Sequence, residues 1–292
     1  MPSCAVLDVG GTHVTGALVD TAACRVLGAP VRVELDAQAG VSDVLARLAE
    51  AGAAIAGGAA IDNWAVAMPD PFDYDAGIGR FHGVAKFESL DGVDVRDELA
   101  RRLPGGTLGM VFCNDADAFT VGEWLAGAAR GSTRPVGVTL GTGVGTGWTD
   151  GGRIVDPGVP PGGRAHLLHV DGAPLEESMS RRAIRRAYAE ATGDRDADVR
   201  EIAALARAGD LPARAVLARA LRSLGRALAV PLRDFAADMV VVGGSMSASW
   251  ELFEAWFREG AGDISLPPVR IASDAVTAPL LGAAYVAATR SR

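Results

Sequence analysis

Leu7-Asp8-Val9-Gly10-Gly11-Thr12 is the stretch on which the reading of this chain turns. An apolar run, Cys4–Val9, ends in two glycines and a threonine, and His13–Val19 resumes an extended pattern. Two strands flanking a Gly-Gly-Thr turn make a hairpin. The glycines carry no Cβ, so backbone N–H groups at the tip can approach a phosphate closely, and Thr12 adds a hydroxyl donor. Asp8 stands at the strand end, where a carboxylate can hold Mg²⁺ through water or simply cap the turn.

The same event recurs twice further on. Val136–Leu140 runs into Gly141-Thr142-Gly143-Val144-Gly145 and then into a second extended segment, Thr146–Thr149. Two such hairpins facing each other would clamp a triphosphate. Met239–Val242 ends in Gly243-Gly244-Ser245 ahead of a helix expected from about Ser249, where a ligand would meet bare backbone and a positive helix end. No Gly-Lys-Ser/Thr follows any of these turns, so none is a P-loop. Gly141-x-Gly143-x-Gly145 leads into a strand, not a helix, so it is not a dinucleotide fingerprint. One such turn alone is ordinary punctuation; the ordered set of three is more specific.

Between the first and second turns, a strand over Leu108–Cys113 meets Asn114-Asp115 and then a helix over Ala116–Ala128. A carboxylate at the carboxyl end of a strand lies where open α/β sheets bind ligands. Transfer of a phosphoryl group to a hydroxyl needs one group to accept the hydroxyl proton and hold its oxygen in line. Asp115 can do this; the same pair also reads as a helix N-cap. Asp117, two residues on, points elsewhere on the helix.

The remaining elements complete an α/β pattern. A strand is expected over Cys24–Leu35, a helix from Ser42 to Ile55 with Ser42 as N-cap, and a strand over Trp64–Met68 stopped by Pro69-Asp70-Pro71. Residues 70–93 read as an irregular loop, and a loop of that length is usually functional. Glu176 to Phe235 is helical in pattern with breaks near Gly193 and Gly209-Asp210; a strand over Val269–Ile271 and a helix over Val276–Thr289 close the chain.

Composition narrows the function classes. Hydrophobic residues make up 49% of the 292, enough for a sizeable core. A formal net charge of −8 argues against a nucleic-acid partner, which clustered Lys and Arg would hold. Arg181-Arg182 and Arg185-Arg186 read as a solvated helix face. Three cysteines without a CxxC spacing fit a reducing compartment. A strand that starts within four residues of Met1 leaves no room for a signal peptide, and no apolar stretch approaches the ~20 residues that span a bilayer. A cytoplasmic protein with no membrane partner is expected.

Asp8-x-Gly10-Gly11-Thr12, Leu140-Gly141-Thr142-Gly143 and Gly243-Gly244-Ser245 resemble the phosphate-1, phosphate-2 and adenosine motifs of the superfamily that unites sugar kinases, actin and a class of heat-shock ATPases. The Asn114-Asp115 pair and the final Gly282-Ala283-Ala284 helix resemble its ROK branch, which includes bacterial glucokinases and N-acetylhexosamine kinases. The resemblance covers nearly the whole chain. It implies a two-lobed ribonuclease-H-like, actin-like ATPase fold with a cleft: a first lobe of residues 1–113 plus 276–292, and a second of 114–275. It also implies ATP and Mg²⁺ as cofactors, with Mg²⁺ near Asp8. Asp115 would be the general base, Asn114 a sugar-hydroxyl ligand, and a hexose or hexose-like polyol the substrate, with glucose leading. Relatives are often homodimers. The branch also holds sugar-responsive repressors with an added N-terminal DNA-binding domain, for which a chain with Asp8 so near its start leaves no room.

The sugar side departs from the family pattern. Relatives carry Glu-x-Gly-His after the second hairpin, then a cysteine-rich zinc loop, then a further Glu. Here the matching stretch is Gly162-Gly163-Arg164-Ala165-His166. His166 matches as a substrate ligand, Gly163 or Arg164 stands in place of the Glu, and Glu176 matches the later Glu. Residues 157–180 contain no cysteine, so no zinc is expected. Pro69-Asp70-Pro71-Phe72-Asp73 resembles the family's Pro-Gly-Pro-Val-Asp, with Asp70 for Gly. These departures leave an amino sugar, a carbocyclic sugar analogue, a polyphosphate donor or a non-catalytic sugar-binding role open.

Overall fold

The computed structural model describes residues 3–57, 61, 63–84, 86–105, 109–156, 158 and 163–290. The Pro/Gly-rich stretch 157–163 therefore lies outside the described residues except for Gly158 and Gly163. In chain order the elements begin with β1 (Ser3–Val9), β2 (His13–Asp20), β3 (Arg25–Glu34), α1 (Val41–Ala56) and β4 (Trp64–Met68). A short pair β5 (Phe72–Asp73) and β6 (Ile78–Gly79), α2 (Val95–Ala100), β7 (Met110–Asn114) and α3 (Asp115–Ala126) follow. Next come β8 (Pro135–Leu140), β9 (Val144–Asp150), β10 (Arg153–Ile154), β11 (His169–Val170) and β12 (Ala173–Pro174). Four helices, α4 (Glu176–Met179), α5 (Arg181–Thr192), α6 (Val199–Arg207) and α7 (Leu211–Asp234), precede β13 (Met239–Gly243). The chain closes with α8 (Trp250–Gly260), β14 (Val269–Ile271) and α9 (Thr277–Arg290).

These elements form two compact units, one of residues 1–127 and 274–292, the other of 128–273. The first division falls after Gly127 and not at 113/114, because α3 packs along α9. Each unit holds a five-stranded sheet, ordered β3-β2-β1-β4-β7 in the first and β10-β9-β8-β13-β14 in the second. The two orders are the same topology: an antiparallel three-strand meander, then two strands added in parallel beside its first strand. The first hairpin of each meander carries a glycine turn, residues 10–12 and 141–143.

In the first unit β4, Trp-Ala-Val-Ala-Met, is buried along its whole length, as expected for a parallel strand covered on both faces. Ala5, Leu7 and Val9 join the cluster under α1, where Val44, Leu45, Leu48 and Ala51 recur at helical spacing. Strand alternation turns Cys4, Val6 and Asp8 to the opposite face. Gly40, not Ser42, caps α1: its carbonyl accepts from Asp43 and Val44 N–H. In the second unit α7 packs on α8 over a core that includes Val138, Leu140, Val242, Phe253 and Trp148. The Trp148 ring meets Phe235 edge-on at 5.2 Å. Among the described residues no helix is long and apolar enough to cross a membrane.

The α3–α9 crossing is a backbone contact. A Cβ on Gly122 would lie 1.8 Å from the Ala278 carbonyl oxygen, and one on Gly282 the same 1.8 Å from that of Ala118. Only two bare Cα atoms allow this approach. Gly282→Ala is therefore expected to destabilise the protein by about 1–3 kcal/mol through overpacking, even after the ~1 kcal/mol that alanine gains in a helix. Urea denaturation measures this; an unchanged or higher midpoint would mean that the two helices can part without cost.

Candidate functional site

In the first unit, the carboxyl ends of three parallel strands bring the sequence candidates to one edge of the sheet. Asp8 pairs in register with Ala67 of β4, and Met68 with Asn114 of β7. The first glycine turn is closed by a 2.9 Å bond from Gly10 N–H to the His13 carbonyl. The Thr12 side chain is exposed at its tip, with Oγ1 3.0 Å from His13 Nδ1. Burial pushes the Asp8 carboxyl up to about 7, and the negative charge of Asp115 adds to the shift. The two carboxylates therefore share a field at the mouth of the first turn.

Asn114 and Asp115 sit at the junction of β7 and α3. Asn114 is the N-cap: its Oδ1 accepts from Ala116 N–H at 2.9 Å and from Asp117 N–H at 3.1 Å. Its Nδ2 donates to Asp70 Oδ2 at 2.8 Å and to the Tyr74 hydroxyl at 3.1 Å. Tyr74 in turn lies 2.9 Å from Asp70 Oδ1 and 3.1 Å from the Met68 carbonyl. Asn114 is 5% exposed, so it is both a cap and a brace, and an acceptor hydroxyl would have to displace one of these bonds to reach it. Asp115 holds one oxygen, Oδ1, 2.8 Å from Ala116 N–H and remains partly exposed. Asp117 is buried in α3.

In the second unit, β8 and β13 run parallel, so their carboxyl ends bring the second and third glycine turns together. Gly244 has φ 84°, and a Cβ there would strike the Leu140 carbonyl oxygen at 2.3 Å. Ser245 Oγ lies 3.7 Å from where a Cβ on Gly141 would stand. Thr142 and Ser245 are both exposed. Glu176, at the start of α4, packs on the same hairpin: its Oε1 would be 2.6 Å from a Cβ on Gly143. The helix after Gly243 begins with a 3₁₀ turn at Ser247–Ser249, so α8 starts at Trp250 and its end does not abut Gly243-Gly244 directly.

His166 lies in a short 3₁₀ turn, Ala165–Leu167, half-buried. That segment is pinned to β9: the Gly163 carbonyl accepts from Trp148 Nε1–H at 3.0 Å and from the Thr146 hydroxyl, which itself accepts from Ala165 N–H at 3.0 Å. Gly163 is buried with φ 71°, a conformation that disfavours any side chain, so of the two residues that could stand for the family Glu only Arg164 carries a side chain there.

Three residues had no role in the sequence reading. Asp70 and Tyr74 tie down Asn114; the sequence marked Asp70 only as standing for a family Gly, and only the length of the 70–93 loop pointed toward Tyr74. His13 follows the first turn directly; Arg32 Nη2 lies 3.1 Å from its Nδ1, and burial with the Arg32 charge lowers its pKa. Thr12, His13 and Arg32 line a hollow of about 590 Å³ beside α1, together with Glu34, Asp36 and Arg47. Its mixed charges select no ligand class.

The model of one family, described as the ROK family, matches residues 4–290. The chain belongs to the ROK family. It is 31% identical to a glucokinase of Thermotoga maritima, over 94% of this chain and 92% of that one. Its fold is that of a ROK hexokinase from Thermus thermophilus, with a TM-score of 0.79, 28% identity and 99% of each chain covered. A ROK family glucokinase from Streptomyces griseus, in complex with glucose and AMPPNP, also superposes with a TM-score of 0.79, over 99% of this chain and 100% of the other. At 24% identity that likeness speaks for the fold alone; with the Thermus thermophilus hexokinase it bears out the expected α/β, actin-like fold.

Proposed function

We propose that this ROK protein is an ATP-dependent kinase that phosphorylates a hydroxyl of a hexose or hexose-like polyol, glucose being the leading acceptor. One observation carries the reading: Asp8, near the carboxyl end of β1, and Asp115, directly after β7, stand at the same edge of one parallel sheet. This is the pairing of a base with a phosphate-handling carboxylate that the reaction requires. In the first unit the turn at 10–12 offers backbone N–H groups and the Thr12 hydroxyl to a phosphate; in the second, the turn at 141–143 and Gly243-Gly244-Ser245 offer theirs with the Thr142 and Ser245 hydroxyls. Asp115 accepts the acceptor's proton as its oxygen bonds to the γ-phosphorus and the bond to the β-phosphate oxygen breaks, releasing ADP. His166 and Glu176 are the sugar ligands of the second unit.

Among the described residues no group of three or more His, Cys, Asp or Glu side chains is placed to hold a metal ion. Mg²⁺ asks for less: one or two carboxylates, with water and substrate phosphates completing its shell. Asp8 fits that role, because a half-buried, poorly solvated carboxyl that feels a second carboxylate gains from a cation beside it. When bound with the donor, Mg²⁺ supplies neutralisation of phosphate charge.

Wild-type protein with Mg-ATP and a panel of hexoses, amino sugars and cyclitols tests the reading by ADP release, with the phosphorylated position read by NMR. Steady ADP release with a hexose is expected, and polyphosphate in place of ATP tests the donor. No release with any acceptor would favour a non-catalytic sugar-binding protein, a reading that the Gly163-Arg164 departure keeps in view. The homodimer that the family resemblance implies is checked by sedimentation in the same buffers.

A further inference from the structure

Asp70 follows β4 at the same edge of the sheet as Asp8 and Asn114. In the repeated topology β4 of the first unit matches β13 of the second, so the Pro69-Asp70-Pro71 turn follows the carboxyl end of the strand that corresponds to the one ending at Gly243. Its carboxylate can only accept hydrogen bonds when ionised. It takes one from the Tyr74 hydroxyl at 2.9 Å and one from Asn114 Nδ2 at 2.8 Å. An amide has a donor end and an acceptor end, and both sides of Asn114 ask for the same orientation: the Ala116 and Asp117 N–H groups take Oδ1, and the acceptor-only Asp70, with Tyr74, takes the NH₂ group. Ala116 N–H is shared with Asp115 Oδ1, so the cap and the candidate base hold the same donor.

We propose that Asp70, assisted by Tyr74, is a positioning residue: it fixes the orientation of Asn114 and, through the shared Ala116 N–H, the placement of the Asp115 carboxylate. This rests on the kinase reading above. Asp70 acts through Asn114 and need not touch the substrate. Without it the NH₂ side of Asn114 loses its charged acceptor, the amide is held from the helix end alone, and the Asp115 carboxylate that shares Ala116 N–H loses its fixed aim.

The test is a double-variant cycle in the full-length protein, using the acceptor that the wild type turns over fastest. Asp70→Ala is expected to lower kcat by roughly 10–100-fold, the scale of a misaimed reactive group, with the KM for ATP unchanged. Asn114→Ala is expected to lower it as well, and the double variant to be no slower than Asn114→Ala alone. Losses that multiply in the double variant, or a KM change for ATP with kcat intact, would overturn the proposal. If Asp70→Ala does not fold, Tyr74→Phe takes its place, with a smaller loss that Asn114→Ala again absorbs. The same cycle is run on melting temperature, which needs no turnover. If the wild type phosphorylates nothing, the kinase reading falls, and the melting cycle still decides whether Asp70 fixes Asn114: coupled shifts support it and additive shifts overturn it.

Discussion

Asp115→Asn is expected to lower kcat by about 10²–10⁴-fold, the usual worth of a positioned general base, while ATP binds within a few-fold of wild type. Asparagine keeps the shape, and its Oδ1 can still accept from Ala116 N–H as Asp115 does at 2.8 Å. The helix start is preserved, while the ability to take a proton and the negative charge that Asp8 feels are lost. Steady-state kinetics with the preferred acceptor and calorimetry with a non-hydrolysable ATP analogue separate the two effects. Turnover at wild-type speed would remove Asp115 from the role of base. A parallel loss of nucleotide binding would mean that its carboxylate serves the donor site instead.

Asp8→Asn is expected to move activity and stability in opposite directions. The Asp8 carboxyl is pushed from an ordinary 3.8 up to about 7, mainly by burial and secondarily by Asp115. Between those values the folded protein holds a proton that the unfolded chain has released. Stability therefore falls as pH rises through this window, and the full cost stands above about 7. That cost is on the order of 2–4 kcal/mol in the ligand-free protein. Asparagine carries no charge to bury. The variant should melt higher than wild type at pH 8, with the advantage shrinking toward pH 4. Turnover should fall by about 100-fold or more, because the carboxylate that would face Mg²⁺ is gone. Melting curves across pH, set beside Mg²⁺ titrations of ADP release, check both halves. A variant no more stable at pH 8 would mean that Asp8 is better solvated than its surroundings indicate. Unchanged Mg²⁺ dependence would take the ion away from Asp8.

The stability half of that expectation explains why a protein would keep an unfavourable group. A poorly solvated carboxylate near a second carboxylate weakens the empty protein, and a site that binds a cation with its substrate can recover the loss. Asp70, by contrast, is satisfied within the chain by Tyr74 and Asn114. Under the two proposals these acids at one sheet edge have different roles: Asp8 would meet a cation, and Asp70 would aim its neighbours.

Much of this was legible in the sequence because it is local. A strand ending in bare glycines announces its turn within six residues, and three such turns in order, with Asn114-Asp115 between the first two, name the fold and the phosphate-handling chemistry. The helix start at Asp115 is likewise written in the two residues beside it. Strand β4, buried from end to end, shows its place in its composition.

What the sequence could not decide depends on partners far apart along the chain. Asn114 could be a ligand or a cap on its own residues alone; its bonds to Tyr74 and Asp70, 40 and 44 positions away, exist only because β4 and β7 lie in register. Glu176 matched a sugar ligand by motif order, and only the packing of α4 brings its carboxylate against Gly143. The first division of the chain moved from 113/114 to Gly127 because α9 returns to lie on α3 through Gly122 and Gly282, which look like ordinary helix glycines until their backbones meet. Turn chemistry is fixed by neighbouring residues, and so sequence determined it. The aim of a side chain is fixed by whatever the folded sheet sets across from it, and only the tertiary structure supplied that.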